Sequence, residues 1–423
     1  MGHILLHSIA ILGFLYGLDI FQQSMSSIEV PISRPFWGKK ESENLNQVLE
    51  SGIWTNGPMV QQFEEVLACE FGEAHVTCVS SGSAAIELLL YVLRRQATNP
   101  LLVSSVLNFV AGAAIGQRYG YRLALTDIED TTLNMCPRSL ERVLESHSTH
   151  DLVIVMPTHF AGQYANMEAI TSIVNSKRGY VIEDACHALP TAHSGRTTAD
   201  SRKSTLATVL SFHPNKPIAS GEGGAIVTHH EQLANQMRQL RNHNMDHYPL
   251  TNSNGQERDG EKKPWFYDVA FPGYNFRMSE FNAAIGLAQT ERLEDTHRRR
   301  RELAIRYNSA LKPLKGAFRF LPSDDFLHGS VHIYPISFDL ARLGITKSTI
   351  FKCATDNGVG LQVHYTPIDH FSFFQETKLS HPVMDSIAPG LVSLPLFPSM
   401  SRGQADLVLH TITQLVESGG CLE

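Results

Sequence analysis

Seven short aliphatic runs, separated by helical patterns, constrain this chain more than any other feature. From His75 onward the segments HVTCVSS, LLVSSV, YRLALTDI, DLVIVMP, GYVIEDAC, ATVLSFHP and GGAIVTHH are rich in Val, Ile and Leu with little polar alternation. A strand with one wet face alternates polar and apolar residues, so such runs belong in a sheet covered on both sides. The helical run Ala84–Arg95 (AAIELLLYVLRR) directly follows the first of them. Strands alternating with helices predict an α/β fold with a mainly parallel sheet.

The remaining chain is divided around that sheet. A length of 423 residues leaves ample core for about two to four domains. Residues 1–26 form an apolar leader, ILLHSIAILGFLYGLDIF at its centre, lacking the Lys or Arg and the cleavage site of a signal peptide. Two readings stand: a weak membrane anchor, or extraneous sequence upstream of a start at Met25. The second is expected, with no stable membrane insertion. Residues 27–300 then make an N-terminal arm and the large domain, with Ser279–Arg301 as one helical block ending in the basic run HRRRR. That run reads as a solvated helix end. Thr251–Lys263 is a polar loop. Residues 301–423 carry a helix, HIYPISF, GLQVHYTP and a closing helix from Arg402, and read as a smaller α+β domain.

Charge and cysteine usage exclude some functions. With 35 Lys+Arg against 42 Asp+Glu the net charge is −7, whereas a general nucleic-acid binder needs a basic face. Cys69, Cys78, Cys136, Cys186, Cys353 and Cys421 lack metal-finger spacing and read as reduced thiols of a cytoplasmic protein. No metal site is expected.

In parallel sheets, chemistry gathers where the strands end. One run ends in Ser80-Ser81-Gly82-Ser83 and passes straight into a helix, whose N-terminus suits a phosphate; Ser83 as a plain N-cap is the bland alternative. Another ends in Glu183-Asp184-Ala185-Cys186-His187. A carboxylate there needs a cation or donors: a metal, an ion pair, or a protonated ring nitrogen. A third ends in Ser211-Phe212-His213-Pro214-Asn215-Lys216, and its lysine is a nucleophile only if its surroundings depress its pKa. The turn Gly221-Glu222-Gly223-Gly224 follows. A phosphate cradle, a carboxylate for a pyridinium and a lysine for an aldehyde are together what pyridoxal phosphate requires.

These residues, with PISRPFWGKKE, SGIWTNGPMVQQFEE, VSSGSAAIELLL, LTDIEDTTLNM, VIEDACHA, SFHPNKPIASGEGGAIVT, GYNFRMSEFNAAIGLAQTERL and VHYTPI, carry a resemblance to the DegT/DnrJ-type nucleotide-sugar aminotransferases. It spans about Ile28 to Leu415. It implies the pyridoxal-phosphate transferase fold of type I, like aspartate aminotransferase, and amino transfer from an amino acid, with L-glutamate the expected donor. THFAGQ, EDACHA, GLQVHYTPI and VSLPLFP look most like the branch that aminates UDP-4-keto-6-deoxy-N-acetylhexosamines for pseudaminic acid, a cell-envelope sugar.

By this resemblance Lys216 holds the cofactor covalently and moves protons, and Asp184 pairs with the ring nitrogen. Gly82, Ser83 and Ser211 hold the phosphate, helped by Asn275 from the other subunit of a homodimer. Phe109 lies over the ring and His187 touches its face or phenolic oxygen. His159, Glu222, His364 and Tyr365 are expected near the sugar nucleotide, with a backbone-satisfied histidine as the alternative for His159, His187 and His364. Asn108 replaces a usual Thr without touching the chemistry, and Asn244 replaces a Gly, which suggests positive φ. Relatives with histidine for the lysine are dehydratases; here Lys216 is retained. A sugar dehydratase, an aminotransferase acting on a free cyclitol, and a non-catalytic cofactor-binding regulator are the competing readings.

Overall fold

The computed structural model describes residues 28–177, 179–189, 205–246, 265, 267–377 and 380–418. The expected leader, residues 1–26, and the expected polar loop, residues 251–263, lie outside them. Among the described residues no helix is long and apolar enough to cross a membrane.

All seven aliphatic runs are strands of one sheet: β1 (His75–Val79), β2 (Pro100–Ser105), β3 (Arg122–Thr126), β4 (Leu152–Met156), β5 (Tyr180–Asp184), β6 (Ala207–Ser211) and β7 (Gly224–Thr228). Their order across the sheet is β1-β7-β6-β5-β4-β2-β3. Every pairing from β6 to β3 is parallel, and β7 alone runs antiparallel to both its neighbours. Successive side chains go to opposite faces. Leu101, Val103, Val153 and Val155 therefore join one apolar cluster, and Leu102, Ile154, Ile182 and Val209 another. Burial on both faces is why these runs lack polar alternation.

The register brings the functional ends to one edge. Val79 and Ser211 both pair with Gly224, and Asp184 pairs with Val209. Because β7 is reversed, its first residue lies beside the last residues of β1 and β6. Directly after β1 comes the helix Gly82–Arg94, whose Ala85, Leu88, Leu89 and Leu93 are buried. It packs on β6 and β7. Helices Lys39–Ser51, Pro58–Glu70 and Glu280–Thr290 cover the opposite face of that half of the sheet. Glu280 accepts from the backbone N–H groups of Gly57 at 2.9 Å and Met59 at 2.7 Å, satisfying a helix start that its own chain cannot.

The structure revises several readings of the sequence. The block Ser279–Arg301 is two helices, Glu280–Thr290 and Leu293–Leu311, broken at Arg292 with φ −125° and ψ 19°. HRRRR is thus inside the second helix and not a solvated end. Arg298 and Arg299 face water and pair with Asp295 and Glu302, whereas His297 and Arg300 are buried. The expected boundary at 300/301 falls within this helix.

GLQVHYTP is not a full strand. HIYPISF supplies the central strand of a three-stranded antiparallel sheet, Tyr334–Phe338 between Phe318–Phe320 and Leu391–Leu394. Gln362 makes only an isolated bridge to Ser393 before the chain turns away at Pro367. The closing helix is Arg402–Ser418. The N-terminal arm adds to this part of the molecule, with Val30 bridged to Val359 and Gly360 N–H donating to Val30 at 2.8 Å. Cys69, Cys78, Cys136 and Cys186 are free thiols, but Cys353 is disulfide-bonded, against the reading of uniformly reduced cysteines.

Candidate active site

Of the residues expected to bind cofactor or substrate, all but His159 and Asn275 line one pocket of about 400 Å³ at the carboxyl edge of the sheet. The pocket begins at the helix after β1. Ser81, with extended backbone, is its N-cap: the hydroxyl accepts from Ala84 N–H at 3.0 Å. Ser83 is therefore not the cap, and its exposed hydroxyl lines the pocket. The N–H groups of Gly82 and Ser83 in the first helical turn have no intrahelical acceptor, and the dipole adds partial positive charge. Such a terminus fits a phosphate. The fit depends on small residues. A Cβ at Gly82 would lie 3.0 Å from Ser211 Cβ, and one at Gly224 would lie 2.4 Å from the Ser81 carbonyl carbon.

Asp184 ends β5 with its carboxylate held from several sides. Cys186 N–H donates to Oδ1 at 3.1 Å; Thr158 Oγ1 and Asn108 Nδ2 donate to Oδ2 at 3.3 and 3.4 Å. Asn108 also accepts from Phe109 N–H at 2.7 Å. The Asn for Thr exchange expected to be harmless thus contacts the carboxylate directly. Sequence reasoning missed this role because nothing in the spacing links β2 to β5.

Lys216 comes from a turn in which its N–H donates to His213 carbonyl at 2.8 Å. Pro214 presets the turn's backbone. Burial lowers the pKa of the Lys216 amine from its usual value, while Cys186 and Asp184 act in the opposite direction. The neighbouring Cys186 is a neutral thiol, its pKa pushed well up by burial and then by Asp184. His213, also in the pocket wall, donates from Nδ1 to Asn215 Oδ1 at 2.8 Å. Both lay in plain sight in SFHPNK.

The opposite wall is aromatic. Phe109 is 54% exposed, and its ring centroid is 5.6 Å from that of Tyr365. His187 Nδ1 accepts from Ala161 N–H at 3.3 Å, which leaves Nε2–H to meet the Tyr365 hydroxyl at 2.8 Å. Burial, then Lys216 and His364, keep His187 well below the usual histidine range, so it is neutral. Burial pushes the Tyr365 phenol above its ordinary pKa. His364 meets Ser393 Oγ at 2.9 Å through Nδ1, and burial followed by Lys216 lowers its pKa to about 4. His332, which carried no sequence signal, packs edge-on against His187 with centroids 4.9 Å apart. Glu222 is exposed at the pocket rim.

The two exceptions have simple geometric causes. Adjacent residues of a strand point to opposite faces. Glu183 therefore points away from the side taken by Asp184, and His159 meets it there at 3.0 Å, with both side chains fully buried. His159 Nδ1 accepts from Ala165 N–H at 3.2 Å. This is the satisfied core histidine, not a pocket residue. Asn275 is exposed, is bridged to Asn242 through the backbone, and lies outside its own chain's pocket. Asn244 has φ 57°, as the replaced Gly suggested.

Comparison with known proteins agrees with this architecture. Residues 36–413 match the model of the DegT/DnrJ/EryC1/StrS aminotransferase family. The spore coat polysaccharide biosynthesis protein SpsC of Bacillus subtilis (strain 168) is 32% identical over 397 residues, covering 92% of this chain and 97% of that protein. Helicobacter pylori PseC, an aminotransferase involved in the biosynthesis of pseudoaminic acid, superposes with TM-score 0.80 at 24% identity, covering 92% of this chain and all of PseC. Bacillus subtilis NtdA with bound cofactor PMP gives TM-score 0.73 at 26% identity, covering 90% of this chain and 83% of NtdA. The fold is that of the type I pyridoxal-phosphate transferases. By its sequence over nearly all of the described residues, the chain belongs to the DegT/DnrJ/EryC1/StrS aminotransferase family.

Proposed function

We propose that the protein is a pyridoxal-phosphate-dependent aminotransferase that moves an amino group from L-glutamate to a keto sugar nucleotide, a UDP-4-keto-6-deoxy-N-acetylhexosamine. The observation that carries the reading is the convergence of Lys216, Asp184 and the Gly82–Ser83 helix start on one pocket. When bound there, the cofactor supplies an electron sink for the carbanion formed as a Cα proton leaves.

The chain's own residues account for the rest. Gly82 and Ser83 N–H groups, with Ser211, bind the phosphate. Asp184, fixed by Asn108, Thr158 and Cys186 N–H, keeps a ring nitrogen protonated. Phe109 offers an apolar face to a flat ring. Lys216 has to be neutral to attack an aldehyde or take a proton, and its burial favours that state. His187 and Tyr365, both neutral, form a fixed donor–acceptor pair on the pocket wall, and Glu222 and His364 lie where a sugar would enter.

A homodimer with shared sites belongs to this reading. Asn275 is exposed away from its own pocket, and Trp37 and Trp54 are among the large apolar side chains left in water. A cytoplasmic setting is supported by the four free thiols, though not by the bonded Cys353.

The test is incubation of the purified protein with glutamate and UDP-, dTDP- and GDP-linked keto sugars while following 2-oxoglutarate. Release with the UDP-linked 4-keto-6-deoxy sugar is expected. Bound cofactor without release from any sugar sinks the reading in favour of a regulator.

A further inference from the structure

We propose that the chain holds one small monovalent anion, of halide size, in a narrow cavity between the helix Leu293–Leu311 and the turn that carries Lys216. This cavity is not the cofactor pocket, although Asn215 and Lys216 line both. Its remaining wall includes Arg300, Thr296, Arg34 and Phe397. No Asp or Glu is among its lining residues.

Arg300 is the residue that calls for an anion. It is only 5% exposed, and its Nε and Nη1 have no hydrogen-bond partner. Burial lowers its pKa only to about 10, so the guanidinium is charged at neutral pH. One turn earlier His297 is 4% exposed with both ring nitrogens unpartnered, and burial brings its pKa to about 3. It is neutral and supplies Arg300 with no counter-charge. The acids near this helix are engaged elsewhere: Glu41 with Arg292, and Asp295 with Arg298 and Arg299. A buried cation without a counter-ion is strongly unfavourable. Water could satisfy the N–H groups but not the charge.

The space selects the ligand. About 10 Å³ is open to the centre of a water-sized body, which suits one small ion. Chloride or bromide suits that space better than the larger sulfate, phosphate or glutamate. An anion there also lies beside Lys216 and would favour its protonated form.

The test uses the full-length protein in sodium gluconate, with sodium bromide exchanged in at constant ionic strength. Thermal midpoints should rise and saturate as for one site, sodium sulfate should give no matching rise, and Arg300→Met should abolish the bromide effect. Crystals of the unaltered protein soaked in bromide give an answer even if Arg300→Met does not fold: one anomalous peak in contact with the Arg300 guanidinium is expected. An absent or non-saturating rise, or crystal density at Arg300 belonging to water or to a carboxylate of a partner chain or of glutamate, overturns the proposal.

Discussion

The Tyr365 hydroxyl is 2.8 Å from His187 Nε2, and the other nitrogen of that ring accepts from Ala161 N–H. The pair therefore fixes one tautomer of a neutral histidine against the pocket. Tyr365→Phe keeps the ring beside Phe109 but strands a buried donor. A stability loss of about 1–3 kcal/mol is expected, together with reduced turnover, read by urea unfolding and by 2-oxoglutarate release.

Lys216→Ala should lower turnover by at least about 100-fold. The fold should be unharmed, because burial already disfavours the charged amine. Circular dichroism and the thermal midpoint check the second half of this prediction. Wild-type turnover in the variant would remove Lys216 from its role.

Asp184→Asn tests electrostatics with little change of shape. The Asp184 charge raises the proton affinity of Lys216, against burial. Its removal should lower the lysine pKa further, so the neutral amine persists to lower pH. The rate at which an amine-reactive reagent labels Lys216 in cofactor-free protein, measured against pH, should shift to the acid side. A shift to the alkaline side contradicts the assignment.

Gly224→Ala probes the contact between β7 and the helix start. The new methyl would meet Ser81 carbonyl carbon at 2.4 Å, and backbone cannot swing aside as a side-chain tip can. A cost of about 1–3 kcal/mol is expected, with weaker cofactor retention on dialysis than in the unaltered protein.

His297 and His364 have folded pKa values of about 3 and about 4, below the usual 6.5. Between these limits the unfolded chain takes up protons that the folded chain refuses. Stability is full above about pH 6.5 and falls as the pH drops towards 4. Each group contributes on the order of 3 kcal/mol across that window. His297→Gln should flatten part of the fall, seen as a smaller difference between urea midpoints at pH 7 and pH 4.5.

The sheet was legible because burial on both faces writes itself as unbroken Val, Ile and Leu. Lys216 and Asp184 were legible because parallel strands deliver their last residues to one edge. Other features depend on contacts between distant segments. Asn108 reaches Asp184 across the end of the intervening β4, and His159 turns inward to meet Glu183. The break at Arg292 has no Gly or Pro to announce it. Burial of Arg300 within HRRRR depends on what packs against that face, which a run of like charges does not disclose.

The bridge between Val30 and Val359 joins the arm to a segment made much later in synthesis. During translation the arm must wait, unmatched, while the seven-stranded layer assembles between the two. Its docking is therefore a closing event, possible only after most of the polypeptide has left the ribosome. Loss of the late segment would leave the beginning of the chain without its berth.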